Sequence, residues 1–444
     1  MPSVLLQIFL LLSSFAGAAA LSATAVGTTA VFPPSRVVLN SIDHYVRDTG
    51  DPATSSLSPA PVALLLHGLA GSTDSWEDIA PLLHGRGVRC VAVDRAGFGR
   101  TARPVRRALP APPALPDFLR EGAAAALEDA PFPRVPGAVG DILPGPAQVL
   151  AAAVRRPGLL APRLPWALSG YLENPYSSRS AVEALWPLLR HVAATSPESD
   201  AEPRQVFLVG HSAGGGLALR AFDALAAGRG TLPSGYEVAG VALVAPAVLD
   251  SEEDPDVYDS GDDSTSPVWL QRALFRLGLS LPDAAGVPLA RRIFDGRNIT
   301  EALLNQTSPA AQLSVERTRY LAQKYSSPVE EFPEEWDVAL LNVYRADFLA
   351  PDKDGGPPTR GRTLLGSVRK EATRATRRQE RDRPAFCVVT GDDDRVVPAR
   401  ASRRVAELLG AENTVFAEML GVGHLPMDER PGELAEILLE FMGK

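Results

Sequence analysis

The chain has 444 residues, beyond the size at which a single hydrophobic core stops growing, so two domains or one core with large insertions are expected. Its 44 Lys and Arg against 53 Asp and Glu give a net charge of −9, which disfavours a dedicated nucleic-acid or anionic-membrane binder. Two cysteines, Cys90 and Cys387, exclude a disulfide scaffold and a Cys-rich zinc site, and 45% hydrophobic with only 22% charged residues excludes global disorder.

Residues 1–21 read as an N-terminal signal or targeting segment, an apolar run that ends in small residues. Ser13, Ser14 and Gly17 weaken that run as a membrane span, so no stable span is expected once it is removed. Residues 22–35, rich in Ser, Thr and Ala, read as a linker or second targeting segment. The expectation is entry into the secretory pathway, ending in secretion or in an organelle such as a plastid.

From residue 36 the chain alternates two patterns. "RVVLNSIDHYV", "PVALLLHG", "VRCVAVD", "RQVFLVG", "VAGVALVAPAV" and "AFCVVTG" are β-rich, most of them continuous apolar runs of the kind found in buried parallel strands. Between and after them, "SWEDIAPLLHGRG", "SRSAVEALWPLLRHVAA", "GGGLALRAFDALAAGRG", "RASRRVAELLG" and "RPGELAEILLEFM" have helical periodicity. The alternation predicts an α/β fold, a mostly parallel central sheet flanked by helices. Residues 36–250 form the first part of this core and 384–444 the second. A Pro/Ala-rich insertion interrupts the first part at about 101–168, and residues 251–383 are expected to form a helical cap domain. The basic run around Arg374 to Arg383 is interleaved with Glu371, Glu380 and Asp382 and reads as a solvated helix face.

The strongest chemical signal is Gly210-His211-Ser212-Ala213-Gly214 between an apolar strand and a helix. A sharp strand-to-helix turn strains the serine backbone and is tolerated only where Gly210 and Gly214 carry no side chain. The Ala213 N–H at the start of the helix is then a first oxyanion donor. A serine hydroxyl needs a general base, and among the six histidines only His424 lies beyond this turn apart from the serine's neighbour His211. The base needs an orienting carboxylate. Asp392, Asp393 and Asp394 follow an apolar strand, with Asp394 the preferred member and Asp250, at an earlier strand end, the fallback. "LLLHGLAGS" offers the Leu69 N–H as second oxyanion donor, with Gly68 leaving room for a substrate carbonyl and His67 organising the loop. Gly97-Phe98-Gly99 superficially matches a dinucleotide fingerprint, but Pro104 stands where the phosphate-binding helix would run. No cofactor and no metal site is expected.

Taken in order, "LLLHGLAGS", "VAVDRAGFGRT", "ENPYSSRSAVEALWPLL", "LVGHSAGG", "VTGDDDRVVP" and "GVGHLPMDERP" resemble the α/β-hydrolase superfamily with an inserted cap. The resemblance implies a Ser212–Asp394–His424 triad and a serine hydrolase, esterase- or lipase-like, acting on a carboxylic ester, with a lipid or a thioester among the candidates and a lipophilic small molecule as the expected substrate. A carbon–carbon bond hydrolase or an acyltransferase would keep the same triad. A ligand-binding or receptor protein with the same shell and little turnover belongs to a different class.

Overall fold

The computed structural model describes residues 32–53, 59–104, 174–196, 203–249, 304–331, 341–343, 361–379 and 385–444. The signal segment, nearly all of the 101–168 insertion, the fallback acid Asp250 and much of the expected cap lie outside the described residues.

Eight strands form one sheet in the order β1-β2-β4-β3-β5-β6-β7-β8. Strands β1 (Pro34–Leu39) and β2 (Ile42–Asp48) form a hairpin closed by Asn40 and Ser41. Both turn residues sit at positive φ, 48° and 67°, as a two-residue hairpin turn requires. Strand β2 runs antiparallel to β4 (Arg89–Val93), and all remaining pairs, through β3 (Val62–Leu66), β5 (Arg204–His211), β6 (Tyr236–Val244), β7 (Phe386–Gly391) and β8 (Thr414–Met419), are parallel.

Parallel strands must be covered on both faces, and alternate residues here feed two cores. Ala63 and Leu65 of β3 join one cluster with Leu83 of α1 (Ala80–Gly85) and Leu434 and Leu438 of α8 (Pro431–Met442). Val62, Leu64 and Leu66 join the other with α2 (Ser178–Ala194), α3 (Ala213–Ala226), α5 (Gly361–Gln379) and α6 (Ala399–Leu409). Fully burying each such aliphatic side chain contributes about 1.5–3 kcal/mol before the entropy of ordering is subtracted.

Helix α5 differs from the expected organisation. Its residues fall within 251–383, yet Leu364, Leu365, Val368 and Ala372 are buried in the same core as α3 and α6. Its polar composition hides one apolar stripe at helical spacing, which packs this helix onto the sheet layer. Helix α4 (Val315–Glu331) belongs to the same insertion between β6 and β7. The "SWEDIAPLLHGRG" segment is a 3₁₀ turn, Thr73–Trp76, followed by the short α1.

At the amino ends of the strands, Arg89 and Arg204, both buried, converge on Asp48 and Asp51; Arg89 Nη2 meets Asp48 Oδ2 at 2.5 Å. This ionic clasp closes one end of the sheet. The chemistry-bearing loops leave the other end.

Candidate functional site

Strand β3 pairs with β4 on one side and β5 on the other, so the chain leaves β3 in one direction and later returns to its opposite side. The crevice outside the carboxyl ends at such a switch point is where open α/β sheets place their ligands. Two loops meet there: residues 67–72 after β3 and the turn from β5 into α3.

Ser212 is the apex of that turn, with φ 51° and ψ −118°. A non-glycine residue here is strained, by an order of 1–3 kcal/mol, and the surrounding bonds hold it in place. Ser212 N–H donates to Val244 O at 2.9 Å, and its carbonyl accepts from Gly215 N at 3.0 Å and Ala247 N at 3.1 Å. The flanking glycines are sterically required: a Cβ on Gly210 would overlap the Gly214 carbonyl, and a Cβ on Gly214 would overlap the Leu66 and His67 carbonyls. The second overlap has a consequence for the site, because it presses the start of α3 against the end of β3 and brings the two loops together.

Gly68 lies directly against the serine, where an added Cβ would stand 3.1 Å from Ser212 Cβ. Beside it, the half-buried Leu69 and Ala213 carry N–H groups that have no hydrogen bond among the described residues. His67 holds the loop from behind. Its Nδ1–H donates to Gly68 O at 2.7 Å and its Nε2 accepts from Arg95 N at 3.0 Å, a pair of partners that fixes the tautomer. Burial pulls its pKa down to about 4, so it is neutral near pH 7 and serves as a brace.

The Gly97-Phe98-Gly99 turn has a structural task as well. Gly97 and Gly99 sit at φ 89° and 52°, and a Cβ on Gly99 would overlap the Asp94 carboxylate. Asp94, fully buried, accepts from Thr73 N at 2.6 Å and Arg100 N at 2.7 Å. The glycines let this turn wrap around an aspartate that ties it to the loop after β3.

The three adjacent aspartates are separated by what each meets. Asp392, exposed, accepts from Gly421 N at 2.7 Å. Asp393 accepts from Ser308 Oγ at 2.6 Å and pairs with Arg395. Asp394, 5% exposed, turns inward: its Oδ1 accepts from the N–H groups of Val396 and Val397, each at 2.8 Å, and its Oδ2 meets His424 Nδ1 at 2.8 Å.

His424 is fixed by more than this carboxylate. Its N–H donates to Gln306 O at 2.9 Å, and its carbonyl accepts from His211 Nε2 at 2.8 Å, with the two imidazole rings 4.9 Å apart. His211 is the residue before Ser212, so this bond joins the histidine loop to the serine turn. Burial, reinforced by the neighbouring His424, holds His211 well below the ordinary histidine range, which keeps it neutral and its Nε2 a donor. Nothing in the amino-acid pattern marks this role, because a histidine beside a serine at such a turn reads only as a neighbour.

Behind the loop, α4 is anchored by charge. Asp428, fully buried, accepts from Lys324 Nζ at 2.7 Å and Tyr325 OH at 2.5 Å, while Arg317 donates to the Asp428 carbonyl and to Asp78 Oδ2, both at 2.8 Å. Burial alone would lower the Lys324 pKa, but Asp428, Asp78 and Glu77 raise it, so the ammonium stays charged. The insertion is therefore tied both to the segment after β3 and to the His424 loop.

A family model described as "alpha/beta hydrolase fold" matches residues 61–274. No curated protein matches the sequence. Among solved structures, the bromoperoxidase of Bacillus anthracis is similar at 17% identity, with 93% of this chain and 100% of that chain covered and a TM-score of 0.50. An esterase of Thermogutta terrifontis matches at 15% identity over 92% and 98% of the two chains, TM-score 0.49. A meta-cleavage product hydrolase of Pseudomonas fluorescens matches at 14% over 92% and 97%, TM-score 0.44. The strand order, the crossing at β3 and the family match together show that this chain has the α/β-hydrolase fold.

Proposed function

We propose that the chain is a serine hydrolase that cleaves a small, lipophilic carboxylic ester through an acyl-enzyme on Ser212. The observation that carries this reading is the bond from His211 to the His424 carbonyl, which joins the strained Ser212 apex to the buried His424–Asp394 pair.

In this reading His424 Nε2 takes the Ser212 hydroxyl proton as Oγ attacks the ester carbonyl carbon. The charge that develops on the carbonyl oxygen is received by the Leu69 and Ala213 N–H groups. Collapse of the tetrahedral species breaks the bond to the alkoxy oxygen, which leaves as the alcohol after taking the proton from His424. Water then adds to the acyl carbon, giving its proton to His424, and the acid departs as Ser212 regains its hydrogen. Asp394 holds the Nδ1–H tautomer and faces the imidazolium that forms in each half. Neutral His67 and His211 neither compete for the proton nor repel that charge. The part of the β6–β7 insertion that precedes α5 would supply the cap that selects the acyl group, and residues 1–35 would direct the chain into the secretory pathway, which a reporter fused to that segment tests.

The test is labelling of the protein by a fluorophosphonate beside Ser212→Ala and His424→Ala, followed by hydrolysis of p-nitrophenyl esters of increasing chain length. Labelling of wild type alone, with turnover of at least one ester, is the expected result. A folded wild type that neither labels nor turns over any ester would overturn the reading and favour a ligand-binding role. Products formed by carbon–carbon cleavage or acyl transfer would move the assignment within the same triad.

A further inference from the structure

We propose that Glu429 is a positioning residue that sets the place of His424 and fastens it to the strap at residues 306–308 of the insertion. The inference rests on the proposed role of His424 as base.

Glu429 is the last residue of the short helix α7 (Pro426–Glu429) and is only 6% exposed. Its Oε2 accepts from Gly423 N and from Ser308 N, each at 2.8 Å, and its Oε1 accepts from Leu425 N at 3.1 Å. The first and third of these donors flank His424 directly. With His424 N–H on Gln306 O and its carbonyl on His211, the three consecutive N–H groups of residues 423–425 and the carbonyl of the base are all taken by groups outside the loop.

Two further observations point the same way. A Cβ on Gly423 would overlap the Gln306 carbonyl, so the strap and the base loop approach closely enough to demand glycine. The carboxylate has no cation partner among the described residues; Lys324 and Arg317 bond to the adjacent Asp428. Burying a charge without a counter-ion is costly. Here its partners are backbone N–H groups of the base loop and the strap, so what the carboxylate supplies is their common geometry. Burial pushes the Glu429 carboxyl up, and its N–H donors oppose that shift.

The test is Glu429→Gln in the full chain. One amide oxygen can keep the Gly423 and Ser308 donors, but the NH₂ group must then face Leu425 N–H, and the loop has to move. Expected are a fall in kcat of about tenfold to a hundredfold with KM little changed, and a displaced NMR resonance for the His424 Nδ1 proton. That resonance reports on the clamp whether or not wild type hydrolyses an ester, so failure of the hydrolase reading and failure of this one are separable. Ser308→Pro is the second variant: Ser308 has φ −70°, which proline adopts, and the change removes the strap's N–H donor to Glu429. It should displace the same resonance in the same direction by less, and it carries the test if Glu429→Gln does not fold. A folded Glu429→Gln protein with wild-type kcat and an unmoved His424 resonance overturns the proposal. Where Glu429→Gln does not fold, a folded Ser308→Pro protein with wild-type kcat and an unmoved resonance overturns it as well.

Discussion

Asp394→Asn separates an orienting carboxylate from a merely buried one. Asp394 Oδ1 accepts two N–H groups and Oδ2 faces one imidazole nitrogen. An asparagine has one oxygen to place. Keeping it on Val396 and Val397 satisfies two donors, whereas flipping it sets an NH₂ group against both, and each buried donor left unsatisfied costs about 1–3 kcal/mol. The amide therefore presents its NH₂ to His424, whose Nδ1 must accept and whose proton moves to Nε2. That nitrogen can then no longer take a proton from Ser212. The fold should survive, but the barrier should rise by about 5 kcal/mol, which is a loss of about 10⁴ in kcat. The assay is kcat on the best p-nitrophenyl ester together with the second-order rate of fluorophosphonate labelling, which needs the same base. An Asp394→Asn enzyme within tenfold of wild type would refute the argument. If Asp250→Asn instead abolished turnover, the acid would have to be reassigned to Asp250.

Gly214→Ala should lower stability by about 3 kcal/mol or prevent folding, because its Cβ would overlap two backbone carbonyls at the end of β3; a melting temperature within about 2 °C of wild type would contradict this. Burial raises the Asp94 carboxyl from the ordinary 3.8 to about 7, so the folded state holds its proton more tightly than the unfolded chain does. The stability this contributes is present in acid and is lost as pH rises through the window from about 4 to about 7, with no further change above it. Urea midpoints across that window should show the loss in wild type and a smaller one in Asp94→Asn, and parallel profiles would sink the assignment. Burial also pushes the Cys387 thiol up to about 12 and the Cys90 thiol higher. Neither should react with iodoacetamide at pH 8 until the chain is unfolded, and alkylation of either in the native protein would show that β4 or β7 opens.

The parts of the molecule that could be read from sequence are those where a residue's chemistry alone fixes its surroundings. A run such as "VALLL" has no polar face to give to water, so it belongs inside a parallel sheet, and β3 is buried along its whole length. Gly210 and Gly214 were readable for the same kind of reason, since a strained serine at the apex leaves no room for a Cβ on either side. Helix α5 was harder. Its four buried apolar residues are interleaved with exposed Ser367, Arg369 and Lys370, so composition pointed to solvent while the spacing carried the packing. "SWEDIAPLLHGRG" is not one helix: the 3₁₀ turn ends at Trp76 and α1 begins at Ala80, next to Pro81, which has no N–H to give to a helix running through from Ser75.

The support of His424 was illegible for a deeper reason. Asp392, Asp393 and Asp394 are identical in type and adjacent in sequence, and only the N–H and hydroxyl groups they meet distinguish them. The other restraints on the base are backbone groups: the Gln306 carbonyl, the Ser308 N–H and the N–H groups of Gly423 and Leu425. Any residue but proline supplies such a donor, and every residue supplies such an acceptor, so side-chain identity carries no record of them. Only the glycines that permit the approach, and a glutamate that would otherwise be a costly buried charge, betray the arrangement. The position of the base is thus set jointly by the β5 turn, the β7 loop and a strap more than 100 residues upstream of it. A substitution in that strap can therefore change turnover without touching a reacting atom.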